Sequence, residues 1–113
     1  MFGKLFKKKP NEKAVRKFWK DFEDRSDLYL NILENEPEDG EDYLWMMSLL
    51  RSSLKPCVLD TTVGCSFRFD KNRDPKRFVF MHMNDEYLRA VGEKMKELYP
   101  QSLAGKIEFA VEE

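Results

Sequence analysis

The chain has 113 residues, of which 42% are hydrophobic and 36% are charged. Its 20 lysines and arginines nearly balance its 21 aspartates and glutamates, so the formal net charge is −1 at pH 7. This composition fits one globular domain and excludes a wholly disordered chain. The balanced charge argues against a protein that is drawn to nucleic acid or to anionic membranes by its overall electrostatic field.

Residues 1–10, MFGKLFKKKP, form a basic segment that ends at a proline. We expect a flexible tail here, because chain termini are usually loose, and one domain over residues 11–113. Apolar residues mixed with lysines predict at most a weak contact of residues 1–9 with a membrane surface. The chain shows neither a signal peptide nor an apolar run of the roughly 20 residues that span a membrane. We therefore expect a cytoplasmic protein.

Two helices are predicted next. Apolar residues recur at helical spacing over residues 11–36, which predicts one long helix with Asn11 as its N-cap. After the acidic turn PEDGED, residues 43–54 predict a second helix, which Pro56 ends. This second helix carries apolar residues on more than one side, including Trp45. Such a pattern is typical of a helix that is deeply buried or used in an interface.

The hydrophobic period then changes from helical to alternating, which predicts a long strand over residues 57–70 at the centre of a sheet. A polar loop leads to a second strand over residues 77–83. Residues 84–100 predict a third helix with Asn84 as its N-cap, and residues 106–113 predict a third strand. The order α-α-β-β-α-β predicts an α+β domain with a three-stranded antiparallel or mixed sheet and helices mainly on one face.

Both sides of the second strand carry apolar residues, so alternation alone does not decide which side faces the helices. Met83 has the spacing from Leu88 of a hydrophobic staple at the start of the third helix. This spacing assigns the methionines of the strand to the helix side. It places Phe78, Phe80 and His82 on the opposite, open face.

The two cysteines, Cys57 and Cys65, both fall in the predicted first strand. The rise of an extended chain would separate them by about 26 Å, which excludes a disulfide between them. Free cysteines are typical of proteins in a reducing compartment. This agrees with the expected cytoplasmic location.

Large apolar side chains are abundant, with 9 Phe, 2 Trp, 4 Tyr and 6 Met. A sheet covered on one side does not readily hide so many, and aromatic residues dominate the energetics of interfaces. We therefore predict a non-enzymatic protein–protein interaction module, adaptor-like or immunity-like, that binds a protein partner or a second copy of itself. The candidate contact residues are Trp45, Arg68, Arg77, Phe78, Phe80 and His82.

Two other functions stay open. An open sheet face with exposed phenylalanines and neighbouring arginines could stack on the bases of single-stranded RNA, although the charge balance speaks against nucleic acid. An enzyme would depend on His82 or Cys65, but no nucleophile, phosphate-binding or zinc motif accompanies them. No catalytic, cofactor-binding or metal-binding residue is therefore predicted.

Three runs of the sequence resemble a family of small, uncharacterised bacterial α+β proteins. These runs are FWKDFEDRSDLYLNIL, MNDEYLRAVGEKMKELYP and KIEFAVEE, with two aromatic strands between the first and the second. Proteins of that family open with a helix rich in Phe and Trp and close with an aromatic strand. The resemblance covers roughly residues 15–111. It implies the same fold class, and it implies no activity and no catalytic residues.

Overall fold

The computed structural model describes residues 9–59 and 64–113. The elements in chain order are α1 (Glu12–Asp24), α2 (Ser26–Asn35), α3 (Glu41–Leu54), β1 (Ser66–Asp70), β2 (Lys76–Met81), α4 (Glu86–Glu97) and β3 (Ile107–Glu112). Short 3-10 helices follow α3 at Lys55–Val58 and α4 at Gln101–Leu103. The predicted basic tail falls almost entirely on residues outside the described part of the chain, so its membrane contact stays a prediction.

The three strands form one mixed sheet in the order β1-β2-β3. β1 runs antiparallel to β2, and β3 runs parallel to β2. The parallel pair is possible because α4 carries the chain back across the sheet between β2 and β3. The predicted α+β class, with a three-stranded sheet and helices on one face, is confirmed.

The first helical segment consists of two helices rather than the one that we predicted. α1 begins after Asn11, whose side chain accepts a hydrogen bond from the backbone N–H of Ala14 at 3.1 Å. It ends at Arg25, where φ is −106° and ψ is 7°. The hydroxyl of Ser26 donates to the carbonyl of Glu23 at 2.9 Å. Serine competes in this way for backbone carbonyls, so the polar run DRSD interrupts the helix.

The first strand is shorter than predicted, and it lies at the edge of the sheet. β1 covers the last five residues of the predicted segment, Ser66–Asp70, and residues 60–63 of that segment lie outside the described part of the chain. Cys57 instead belongs to the 3-10 helix after α3, in which Pro56 occupies the first turn. Proline suits this position because its fixed φ is close to the helical value. The prediction of a central strand over residues 57–70 is therefore wrong, and β2 is central.

The core lies between the helices and one face of the sheet. Phe78 of β2 is completely buried, and its ring centroid lies 5.3–6.4 Å from six others. These rings belong to Phe18, Trp19, Phe22, Phe67, Phe69 and Phe109. Phe80 is equally buried, next to Gly92 of α4. A Cβ at Gly92 would lie 2.7 Å from Cγ1 of Val111, so glycine allows α4 to approach the sheet closely.

The orientation of β2 is opposite to the one that we predicted. Phe78 and Phe80 point to the helices, and Val79 between them points to the other face of the sheet. Phe80 lies opposite Phe67 in β1, and the neighbouring pair on the same side again consists of two phenylalanines. Residues that face each other across strands share a side of the sheet. The aromatic residues of β1 and β2 therefore form one layer under the helices.

The start of α4 explains why the orientation of β2 was predicted wrongly. Asp85 rather than Asn84 is the N-cap, because its carboxylate accepts a hydrogen bond from the backbone N–H of Leu88 at 2.9 Å. Met83 and Asn84 both have positive φ, 52° and 58°, in a tight turn between strand and helix. Met83 is 39% exposed in this turn. It does not form the predicted staple, so the methionine spacing does not report the helix side of the strand.

Candidate protein-interaction surface

Helix α3 is buried along one face and has charged ends of opposite sign. Four of its residues recur at steps of three or four and enter the core, namely Tyr43, Met46, Leu50 and Leu54. Glu41 and Asp42 occupy the first turn, and Arg51 lies in the last. This arrangement complements the helix dipole, whose positive end is the N-terminus. The helix therefore has an acidic end and a basic end.

The opposite face of α3 is exposed along its whole length. Leu44 is 57% exposed and Trp45 is 49% exposed, next to each other in the first half of the helix. Toward the C-terminus the same face carries small and basic side chains. We call this face, together with the C-cap residue Lys55 that follows the helix, the α3 stripe. Its members are Glu41, Leu44, Trp45, Ser48, Arg51, Ser52 and Lys55.

A cleft of about 440 Å³ lies beside the C-terminal half of the α3 stripe. One wall belongs to the stripe, and the other belongs to residues 58–59 and 64–65. The lining residues are Ser48, Arg51, Ser52, Lys55, Val58, Leu59, Gly64 and Cys65. Leu59 is 70% exposed at this wall. The guanidinium carbon of Arg51 lies 5.3 Å from the ring centroid of Phe67. The cleft thus combines apolar surface with two cations.

Both cysteines are free thiols, and Cys65 lines this cleft. Burial raises the pKa of Cys65 to about 11, although nearby Arg51 opposes the shift. Burial raises the pKa of Cys57 to about 12, and the adjacent Cys65 adds to this effect. The two residues therefore lie close enough to interact, and they are not about 26 Å apart in one strand as we predicted. Both thiols stay protonated at neutral pH, whereas nucleophilic catalysis uses the thiolate.

His82 is half-buried just after the end of β2. Its backbone N–H donates to the carbonyl of Glu112 at 2.9 Å, and its Nδ1 accepts from the backbone N–H of Asn84 at 3.0 Å. The imidazole thus helps to hold the tight turn before α4. Among residues 9–59 and 64–113, no group of three or more His, Cys, Asp or Glu side chains is arranged to hold a metal ion.

The face of the sheet away from the helices carries a network of ion pairs. Arg68 and Arg77 both bind Asp70, with N–O distances of 3.0 and 2.8 Å. Both arginines also reach Glu112, at 2.8 and 3.6 Å. Val79 lies directly opposite Arg68 and is completely buried, although it is not part of the core under the helices. Aliphatic stems of arginine readily cover apolar surface, and Arg68, the cross-strand neighbour of Val79, lies on this face.

The ion pairs of Asp70 should make the stability of the fold depend on pH. Hydrogen bonds, first from Arg77 and then from Arg68, hold the pKa of Asp70 below its ordinary value of 3.8. Asp70→Asn should lower the free energy of unfolding by about 1 kcal/mol at neutral pH, because both arginines lose an ionic partner. A depressed pKa stabilises the fold above the unfolded pKa, and the effect is lost as the pH falls through the folded pKa.

We therefore expect the difference in free energy of unfolding between wild type and Asp70→Asn to shrink from about pH 6 to about pH 2. Urea unfolding followed by circular dichroism at several pH values measures this difference. Asp39→Asn, a change at an exposed carboxylate in the turn before α3, serves as the control and should differ little from wild type at any pH. A difference for Asp70→Asn that stays constant with pH would contradict the prediction.

The six candidate contact residues do not form one surface. Trp45 is half-exposed in the α3 stripe, so it is accessible to a partner. Arg68 and Arg77 come together, but in an ion-pair network on the open sheet face. The two phenylalanines of β2 belong to the core, which corrects their predicted exposure. The sequence patterns did not predict the cleft, because its two walls come from segments that only folding brings together.

None of the described helices has both the length and the apolar character needed to cross a membrane. Comparisons of the chain with protein-family models, curated proteins and solved structures found no match. The resemblance to small bacterial α+β proteins therefore stays a prediction.

Proposed function

We propose that this protein is a non-enzymatic interaction module, adaptor-like or immunity-like, which binds another protein through the α3 stripe. The observation that carries the proposal is the half-exposed indole of Trp45 beside the exposed side chain of Leu44. Both residues are on a helix whose other face is fully used by the core.

The composition of the α3 stripe supports a protein partner. Trp is among the residues that contribute most to binding energy when a partner removes them from water. Interfaces commonly have an apolar centre and a polar rim. Leu44 and Trp45 provide exposed apolar surface of this kind, and exposed Glu41 and Ser48 adjoin it along the helix.

The other two functions find less support in the described residues. Single-stranded RNA would need exposed aromatic rings on the sheet, but the open face carries paired arginines and carboxylates. An enzyme that uses Cys65 would need a thiolate, and burial raises the pKa of that thiol. We place the protein in the cytoplasm, since free thiols such as Cys57 and Cys65 are typical of a reducing compartment.

Photocrosslinking in expressing cells tests the proposal. We expect a photoreactive phenylalanine analogue in place of Ser48 to yield covalent adducts with protein. The same analogue in place of Glu93, which is exposed on α4, serves as the control and should yield none. Adding Trp45→Ala to the Ser48 probe should abolish its adducts. Equal results from the two probe positions would contradict a binding surface on α3.

A further inference from the structure

The α3 stripe is complementary to itself. Ser48 lies at its centre, and the other members are placed symmetrically at three, four and seven residues on either side. Reversal of the helix direction about Ser48 therefore superimposes positions in pairs, which are Trp45 with Arg51, Leu44 with Ser52, and Glu41 with Lys55. Each pair joins a large side chain to a small or basic one, or an acid to a base.

We propose that the partner is a second copy of this chain, bound by antiparallel contact of two α3 stripes across a twofold axis at Ser48. This inference rests on the proposed function and adds the identity of the partner. A twofold contact uses the same patch on both copies, so the patch must match itself when reversed. The described chain supplies two grounds for such a match, in charge and in shape, and the size of the stripe sets the expected strength of the dimer.

Charge favours the antiparallel arrangement. The acidic end of one stripe, at Glu41, meets the basic end of the other, at Lys55. Within residues 9–59 and 64–113, neither Glu41 nor Lys55 takes part in an ion pair. A parallel arrangement would instead place acid against acid, and like charges in contact oppose association.

The shape of the stripe also favours the antiparallel arrangement. Trp45 precedes Arg51 by six residues, which is about 9 Å along a helix. A twofold axis at Ser48 therefore brings the indole of each copy to the cleft of the other. The cleft offers exposed Leu59 to the ring, and the guanidinium of Arg51 can add a cation–π contact. The small side chains of Ser48 and Ser52 allow the two helices to approach closely.

The size of the surface sets the expected strength of the dimer. The stripe from Glu41 to Lys55 is about 21 Å long, so it presents less than the roughly 800 Å² per partner of a standard interface. Two Trp45 anchors in two clefts compensate in part for the small area. We expect a dissociation constant on the order of 10 µM, in the range of transient complexes.

Sedimentation equilibrium over a concentration range around this value tests the arrangement. Wild type should shift from monomer to dimer mass. Glu41→Lys and Lys55→Glu should each weaken the dimer about tenfold or more, because each places like charges together twice across the axis. The double variant Glu41→Lys/Lys55→Glu should restore the dimer. Glu34→Lys, off the stripe on α2, is the control and should behave as wild type. A monomeric wild type, or no rescue in the double variant, would overturn the proposal.

A covalent test reports the axis directly. Ser48→Cys should give a disulfide-linked dimer under mild oxidation, because the twofold axis places the two introduced thiols next to each other. Glu93→Cys and wild type should stay monomeric on the same gel. Absence of the linked dimer would overturn the arrangement. If these tests fail while the Ser48 photoprobe still captures a different protein, the partner is wrong and the proposed function stands. If the photoprobe captures nothing, both fail.

Discussion

Replacing Phe78 with alanine should lower the free energy of unfolding by about 3–5 kcal/mol, the usual effect of removing a buried aromatic ring. The side chain is completely buried in the central strand, and its ring lies among six other aromatic rings. The surrounding rings come from a helix and from both neighbouring strands. They cannot all move together to fill the cavity, so the loss should be near the upper end of this range.

Urea unfolding followed by circular dichroism measures the effect of Phe78→Ala. Leu44→Ala serves as the control, because it also shortens a large apolar side chain but at a position that is 57% exposed. We expect a change below about 0.5 kcal/mol for this control. The comparison also decides the orientation of β2. If Phe78 lay on an open face, as the sequence suggested, Phe78→Ala would lower the free energy of unfolding about as little as Leu44→Ala does.

Replacing Trp19 with phenylalanine should lower the free energy of unfolding by about 2–3 kcal/mol. The indole Nε1–H donates a hydrogen bond to the carbonyl of Met95 at 2.9 Å, in a buried position. Met95 lies in the last turn of α4, where backbone carbonyls have no amide partner four residues ahead within the helix. Phenylalanine would leave this buried carbonyl without a donor and would also remove part of a packed ring.

The matched control for Trp19→Phe is Trp45→Phe. The chemical change is the same, but Trp45 is half-exposed in the α3 stripe. Measured at protein concentrations well below those that favour the dimer, it should alter the free energy of unfolding by less than about 0.5 kcal/mol. Equal losses for the two variants would show that the hydrogen bond from Trp19 to Met95 contributes nothing to stability.

Hydrophobic periodicity located the helices well, because a helix that covers a sheet must place apolar residues every three or four positions. It found the α3 segment within two residues at its start, and it placed Trp45 on a second apolar side. Periodicity did not predict the helix break at Arg25. The apolar residues keep their helical spacing across this point, and the serine side chain that competes for a backbone carbonyl does not interrupt that spacing. Periodicity also failed after Pro56, where a 3-10 turn and a strand are equally compatible with short apolar runs.

The orientation of β2 could not be predicted from alternation. Both sides of this strand are apolar, but for different reasons. Phe78 and Phe80 meet the helices, whereas Val79 is buried outside the core under the helices, at the position directly opposite Arg68. Arginine reads as polar in a sequence pattern, yet its stem shields apolar surface once its charge is paired. Arg77 pairs with Asp70, seven residues away, and Arg68 pairs with Asp70, two residues away, and with Glu112, 44 residues away. None of these partners lies in β2, so the pattern of that strand does not contain them.

The α3 stripe likewise depends partly on local sequence and partly on tertiary packing. Local patterns were sufficient for the helix itself, its acidic first turn and its excess of apolar side chains, because helical spacing and end charges act over a few residues. Which of these side chains remain exposed was decided by the packing of α3 against the other helices and the sheet. The cleft beside the stripe was decided in the same way, since Leu59 and Cys65 reach Arg51 only through the path of the folded chain.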